Sequence, residues 1–350
     1  MRASLVSRPW AGLDLGGFSV KLLALQPGVG TVRALAAEVP CPATAAAGGS
    51  PAPEAVAQAI AECAERAGVS LRGLRGITVG ISGSDVIVKQ IQLPLMDEEE
   101  VGKALRFEAR KHLPFDPQVM VIDYQVLGRF LSERRVDVLI AAVSREHLER
   151  HLAPLVRLDL IADIVDAAPL ALTNAVVHAA GNDRGARLLL DVGHASSHLT
   201  LFQRGEPYFS RRLDFGGRHL TLAIAAALQV PFEEAEEWKL AAGSEEPGFR
   251  VDWTGRELRA VQESLERELV DEVRHSLAFY RTLGHLPEAM RLQISGGTAR
   301  LPGIAERLGN LLEFPVSVFD PFEGFGGAAR ARVSGGPQFA QAYGLALRSA

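Results

Sequence analysis

Asp14-Leu15-Gly16-Gly17-Phe18-Ser19-Val20-Lys21 and, half a chain later, Asp191-Val192-Gly193-His194-Ala195-Ser196-Ser197-His198 stand in register with one another. The correspondence runs on, with Leu22-Leu23-Ala24-Leu25-Gln26-Pro27-Gly28 falling on Leu199-Thr200-Leu201-Phe202-Gln203-Arg204-Gly205. Each copy reads as an apolar strand, an acidic residue, a glycine turn with small hydroxyls, and a second apolar strand. That pattern predicts a β-hairpin with an Asp at its mouth. A lone Asp-x-Gly is usually no more than a tight turn between strands. Two copies in register point instead to a duplicated scaffold with one such hairpin in each half.

The turn chemistry suits phosphate. Glycine lets a ligand approach the main chain, and successive N–H groups in such a turn make an anion-binding concavity. Ser19, Ser196 and Ser197 add neutral donors, and Lys21 adds a positive charge. Asp14 and Asp191 would repel a bare phosphate, but they fit if Mg²⁺ lies between, mostly through water. Two hairpins from two halves are therefore expected to clamp one triphosphate with its Mg²⁺. A third glycine signal comes late, where a short strand over 291–294 enters Ser295-Gly296-Gly297-Thr298 ahead of a helix over 302–312. Glycines at that junction let a nucleoside or its α-phosphate approach the backbone beside a helix N-terminus.

Bulk properties bound the class. A chain of 350 residues, 47% hydrophobic and 23% charged, is long enough for two domains with a core in each. Its net charge of −5 and the lack of a basic run argue against nucleic acid as a partner. Residues 1–10 are too short and polar for a secretory signal, and no apolar run reaches the roughly 18–20 residues of a membrane span. The two cysteines, Cys41 and Cys63, read as reduced thiols. These properties predict a cytoplasmic protein that is not itself inserted in a membrane.

Between the hairpins, periodicity predicts a strand over 31–39, a low-complexity loop over 40–53, a helix over 54–67 and a hairpin over 76–93. Asp97 and Glu100 form a capping-box start for a helix to about 112, stopped by Pro114. Val101, Ala104, Leu105 and Ala109 form its packing face, with Arg106, Arg110 and Lys111 directed elsewhere. Strands over 119–128 and 136–144 and a helix over 145–158 complete an αβ module inside the first half. The second half adds a strand over 208–215, helices over 219–228, 232–240 and 256–283, a strand over 315–319 and a final helix over 338–347.

Asp-Leu-Gly, Asp-Val-Gly and Ser-Gly-Gly, in that order, resemble the phosphate-1, phosphate-2 and adenosine motifs of the actin-like ATPase superfold. Within it the chain resembles the PilM family of type IV pilus assembly proteins, itself similar to the cell-division protein FtsA. The most specific likeness is in the inserted module: Leu105-Arg106-Phe107-Glu108-Ala109-Arg110-Lys111-His112-Leu113-Pro114-Phe115, then Val121-Ile122-Asp123-Tyr124-Gln125-Val126-Leu127. Gly216-Gly217, Ala235-Glu236-Glu237-Trp238-Lys239 and Arg274-His275-Ser276-Leu277-Ala278-Phe279-Tyr280-Arg281 also look like family positions.

The resemblance implies an α/β fold of two duplicated actin-like domains with an FtsA-type, SHS2-like 1C subdomain inserted in the first. Domain 1A would comprise residues 1–76, 162–180 and 337–350, the 1C insert 77–161, and domain 2 residues 181–336 with a 2B part around 218–285. It implies ATP and Mg²⁺ in the interdomain cleft. Asp14, Gly16, Gly17, Ser19 and Lys21 would serve the first phosphate loop, and Asp191, Gly193 and Ser196 the second. Gly216, Gly217, Glu236, Lys239, Gly296 and Gly297 would complete the cofactor site, with Asp14 and Asp191 at the metal. Phe18 and His194 depart from the small residues usual at these places in the family. The implied partner is the N-terminal cytoplasmic peptide of the membrane protein PilN, and through it the PilN/PilO complex. The peptide would meet Arg106, Phe107, Arg110 and Phe115 of the insert, and self-association is allowed. The protein would sit peripherally at the inner membrane, in a system that serves twitching motility and competence.

Hydrolysis needs a positioned water and a group to orient it. No motif supplies that group, so weak ATPase activity is the most the resemblance implies. Asp191, and Asp166 with Asp163 in the segment joining the halves, are the candidate catalytic carboxylates. His147-Leu148-Glu149-Arg150-His151 has its acid misplaced for zinc-protease chemistry and reads as a solvated helix face. The leucine stripe over 258–277 reads as core rather than coiled-coil seam. Two alternatives stand beside the pilus reading: an FtsA-like scaffold, whose membrane-binding tail is not evident here, and a small-molecule kinase of the same superfold, which calls for a catalytic Asp over a substrate pocket.

Overall fold

A computed structural model describes residues 8–27, 32–41, 51–113, 116–180, 185–203, 206–242, 255–282, 291–323 and 336–348. The first half runs β1 (Trp10–Leu15), β2 (Ser19–Pro27), β3 (Val32–Pro40), α1 (Pro53–Ala67), β4 (Gly76–Ile81), β5 (Ile87–Pro94), α2 (Glu98–His112), β6 (Met120–Phe130), β7 (Arg135–Ser144), α3 (Arg145–Arg157), β8 (Ile164–Ala167) and α4 (Ala168–Ala180). The second runs β9 (Arg187–Val192), β10 (Ser197–Gln203), β11 (Glu206–Leu213), α5 (Gly217–Leu228), α6 (Phe232–Ala242), α7 (Arg256–Thr282), β12 (Arg291–Ser295), α8 (Ile304–Leu312), β13 (Val316–Val318) and α9 (Ala340–Leu347).

The duplication extends beyond the turns to the whole topology. One sheet has the order β3-β2-β1-β4-β8, and the other repeats it as β11-β10-β9-β12-β13 and continues from the β11 side through β5, β7 and β6. Hairpin pairs are antiparallel in both halves, and the crossover pairs β1–β4, β4–β8, β9–β12 and β12–β13 are parallel. Register repeats as well: Asp14 lies opposite Lys21 and Leu13 opposite Leu22, while Asp191 lies opposite His198 and Leu190 opposite Leu199. A one-residue slip in either hairpin would turn its buried leucines to the opposite face, so packing holds the acidic residues at matching positions.

Helices α4 and α9 join the halves. Leu23 of β2 and Leu189 of β9 share one apolar cluster with Leu172 and Val176 of α4 and Phe339 and Tyr343 beside and within α9. Each such side chain contributes about 1.5–3 kcal/mol on burial, so this shared core fixes the spacing of the two hairpins. The insert has its own core, in which Ile91, Leu93, Val136, Val138 and Ile140 meet Val101 and Leu105 of α2. Its sheet joins that of the second half where Lys89 lies opposite Phe209. The capping box is present, with Glu100 N–H donating to Asp97 Oδ1 at 2.8 Å and Asp97 N–H to Glu100 Oε2 at 2.9 Å. Leu269, Val270, Val273 and Leu277 of α7 are core residues of the second half.

Three expectations need correction. Residues 76–93 do not form a hairpin: β4 is buried along its whole length between β1 and β8, while β5 belongs to the other sheet. Neighbouring β-branched runs imitate a hairpin, but full burial of β4 marks a central parallel strand. Helix α4 falls where no helix was expected, because it is apolar around most of its circumference and has no polar stripe to reveal its period. The Gly296-Gly297 junction leads first into a 3-10 turn, Gly297–Arg300, so the N-terminus of α8 lies beyond it.

Candidate functional site

The two acidic turns have the same backbone geometry. Gly16 N–H donates to Ser19 O at 3.1 Å, and Gly193 N–H donates to Ser196 O at 3.1 Å. They face each other, with the Phe18 and His194 rings tilted at 33° and 5.1 Å apart between centroids. One cleft of about 750 Å³ is lined by Asp14, Gly16, Gly17, Ser19 and Lys21 from the first turn and Asp191, Gly193 and Ser196 from the second. Phe18 and His194, both lining the cleft, are therefore partners across it, a contact that local sequence does not reveal.

Charge at the cleft floor is unbalanced. Lys21 Nζ lies 3.4 Å from Asp14 Oδ2 and 3.9 Å from Glu38 Oε1. Gln341 donates to Asp14 Oδ1 at 3.1 Å, Ser19 to Glu38 at 2.7 Å, and Ser295 to Asp191 Oδ1 at 2.9 Å. Burial drives the Asp191 carboxyl up to about 6; the Ser295 hydroxyl opposes this, the negative charge of Asp14 adds to it, and Lys21 opposes it. Burial works against the Lys21 ammonium, yet Asp14, Glu38 and Asp191 outweigh it and leave the lysine above its ordinary value. Asp14, Glu38 and Asp191 thus converge on Lys21.

Among the described residues no cluster of three or more His, Cys, Asp or Glu side chains is placed to hold a metal. A divalent ion between Asp14 and Asp191 would draw on few protein ligands and keep several waters. That fits Mg²⁺, which dehydrates reluctantly, and it fits a floor short of positive charge.

A third wall comes from the second half. Gly296 has φ of +86°, and a Cβ there would lie 2.5 Å from Val192 O, so only glycine fits. Lys239 Nζ reaches Glu236 Oε2 at 2.6 Å, Thr221 Oγ1 at 2.8 Å and Gly217 O at 3.1 Å. Thr221 also donates to Glu236. Burial lowers the Lys239 pKa, with Glu236 opposing the shift. Gly217, Glu236, Lys239, Gly296 and Gly297 all line the cleft. Gly216 stands just behind the lining, where a Cβ would lie 2.6 Å from His194 O.

The fourth wall overturns an expectation. His147 and His151 are half-buried and line the cleft with Ser82, Gly83, Ser84 and Asp85, rather than facing solvent. His147 Nδ1 lies 2.5 Å from Asp85 Oδ1, and His151 Nε2 lies 2.8 Å from Gly80 O. Burial lowers the His151 pKa, and the Gly80 carbonyl works the other way. The i, i+4 spacing of the histidines put them on one face of a helix; only the sheet contacts of α3 show that this face turns inward.

Asp166 does not line the cleft: it is buried on β8, 3.3 Å from Arg348 Nε. Asp163 accepts the Ile77 N–H at 2.8 Å and holds β4 to the segment before β8. On α2, Phe107 is 76% exposed and Arg110 is exposed. For Arg106 only the backbone is described, and Phe115 lies outside the described residues. Among the described residues no helix is long and apolar enough to cross a membrane.

With this geometry in place, comparison with known proteins gives concordant results. The family model for the type IV pilus assembly protein PilM matches residues 12–350. The chain is similar to a solved PilM-PilN type IV pilus biogenesis complex, at 29% identity with 97% of each chain covered and a TM-score of 0.80. The archaeal actin homolog Ta0583, at 13% identity and a TM-score of 0.50 over 97% of this chain and 99% of that one, shares the fold. FtsA of Borreliella burgdorferi is 25% identical over 181 residues, 46% of this chain and 42% of that protein, so the chain matches less than half of that relative's length.

Proposed function

The chain belongs to the PilM family of type IV pilus assembly proteins, and on that premise we propose that it is a cytoplasmic, actin-like component of the pilus assembly platform that binds ATP with Mg²⁺. One observation carries the nucleotide reading: two acidic glycine turns, one from each half, line a single cleft. In this reading the phosphates lie between the turns, contacting the backbone N–H groups of residues 17–19 and 194–196, those of Gly16 and Gly193 being bonded within their own turns, and the Lys21 ammonium. Asp14 and Asp191 hold the cation through water, and Glu236, Lys239, Gly216, Gly217, Gly296 and Gly297 border the nucleoside. Magnesium supplies charge neutralisation between the carboxylates and the phosphate oxygens.

The partner is the N-terminal cytoplasmic peptide of PilN, as the similar PilM-PilN complex suggests. Through PilN the chain is held at the inner membrane beside PilN and PilO. Phe107 and Arg110, exposed on α2, support docking along the insert. Since the nucleotide contacts both halves, its state biases the angle between them. Partner affinity follows to the extent that the peptide prefers one angle.

The test is a titration of a fluorescent ATP analogue with and without Mg²⁺, followed by titration of the PilN peptide into the apo, ADP and ATP forms. Saturable binding that weakens at least tenfold without Mg²⁺ or in Asp14→Ala supports the site. Binding indifferent to both changes removes the assignment. Peptide binding that is lost on Phe107→Ala with ATP affinity retained supports the insert as the docking surface; undiminished binding places it elsewhere.

A further inference from the structure

We infer that Asp85 and His147 form the water-activating pair for hydrolysis of the terminal phosphate, a role no motif in the sequence assigns. The inference rests on the nucleotide reading above. His147 Nδ1 lies 2.5 Å from Asp85 Oδ1, so the carboxylate accepts the Nδ1 proton and leaves Nε2 as the basic nitrogen. The other Asp85 oxygen accepts the Ser144 hydroxyl, and Ser144 Oγ caps α3 by accepting His147 N–H at 3.2 Å. The carboxylate is therefore held from two sides, and it fixes both the tautomer and the orientation of the ring. Among the described residues Nε2 has no protein hydrogen-bond partner.

Position supports the role as strongly as orientation does. Both side chains line the same cleft as Asp14, Lys21 and Asp191. One turn along α3, His151 is tied to Gly80 O at 2.8 Å, and Gly80 pairs with Asp14 across β1 and β4. That link sets the inner face of α3 beside the first acidic turn. Gly83 leaves the imidazole its place, because a Cβ there would collide with the ring. Orienter, imidazole and reacting centre in sequence is the arrangement by which an Asp–His pair activates a nucleophile; here the nucleophile is water, because Ser144 is committed to Asp85 and to the helix cap.

In the step, a water oxygen attacks the terminal phosphorus and its proton passes to His147 Nε2. The bond from phosphorus to the bridging oxygen breaks, and that electron pair leaves with the nucleoside diphosphate. His147 then returns its proton to solvent. His147 is the catalytic residue; Asp85 acts through it as a positioning residue.

The experiment is single-turnover hydrolysis of labelled Mg-ATP, with nucleotide affinity measured separately on the same variants. A general base contributes on the order of 10²–10⁴ in rate. His147→Ala is expected to lose at least about 100-fold in rate with affinity kept within threefold, and added imidazole is expected to restore part of the rate. Asp85→Asn is expected to lower kcat with little change in KM. Ser144→Ala, which loses the helix cap and one of the two holds on Asp85, is expected to lower the melting temperature and to lower kcat by less than Asp85→Asn does. Rates unchanged in His147→Ala, no rescue by imidazole, or a wild type that binds ATP without turnover would each overturn the inference and leave nucleotide binding intact. A wild type that fails to bind Mg-ATP instead removes the reading on which the inference stands.

Discussion

Lys21→Met removes the ammonium on which the carboxylates of the cleft floor converge. Lys21 is 9% exposed and lies 3.4 Å from Asp14 and 3.9 Å from Glu38. At an effective dielectric constant of about 20, each contact is worth about 4–5 kcal/mol of Coulomb attraction, much of it offset by burying the ammonium. Removing the cation leaves half-buried carboxylates without compensation, and breaking a fully buried pair in this way costs about 3–5 kcal/mol. Because the lysine is held above its ordinary value, its contribution is complete at neutral pH and is lost only as pH rises past that value. Urea denaturation without nucleotide is therefore expected to show a loss of about 3 kcal/mol, at the low end of that range because Lys21 and Asp14 keep some solvent contact. If the first half melts as a unit, that corresponds to roughly 6–12 °C. Millimolar Mg²⁺ is expected to recover more stability in the variant than in the parent, since the ion enters the place of greatest negative charge. A variant as stable as the parent, or one that gains no more from Mg²⁺, would refute the electrostatic reasoning.

Phe18→Ala removes the contact with His194 that spans the cleft. Such a ring pair is worth about 0.5–1.5 kcal/mol, so stopped-flow nucleotide association is expected to quicken by about 2- to 10-fold, and unchanged kinetics would show that the contact does not gate entry. Gly296→Ala places a side chain at φ of +86° and 2.5 Å from Val192 O, so a loss of at least about 2 kcal/mol in stability, with impaired nucleotide binding, is expected. Burial drives Glu266 up to about 7, with Arg307 opposing the shift at 3.8 Å. A raised carboxyl contributes most below its ordinary value of 4.5 and loses that contribution as pH rises through about 7. Glu266→Gln should therefore gain about 1–2 kcal/mol over the parent at pH 8 and almost nothing below about pH 4, as denaturation at the two pH values would reveal.

What the chain displayed in its residues, and what it withheld, follows from the range of the forces involved. Asp14-Leu15-Gly16 and Asp191-Val192-Gly193 are local patterns: strand periodicity and turn chemistry are written within a few residues, so the twin turns and their register could be read directly. The capping box at Asp97 and Glu100 is local in the same sense. Helix α4 was hidden because a helix enclosed by its neighbours carries no polar stripe. The pairing of β4 with β1 and β8, and of β5 with β7, depends on strands far away in sequence, and adjacency suggested the wrong partner. Phe18 against His194 and Asp85 against His147 are likewise contacts across long separations. His147 and His151 shared a helix face in any reading, but α3 had to be docked on β4 before that face could be seen to line the cleft.

A crystal structure with magnesium and a slowly hydrolysed ATP analogue tests the central claim most directly. The expected density has the phosphates between the 16–19 and 193–196 turns, with a hydrated cation between Asp14 and Asp191. A nucleotide bound elsewhere, or held by one turn while the other faces solvent, would contradict it.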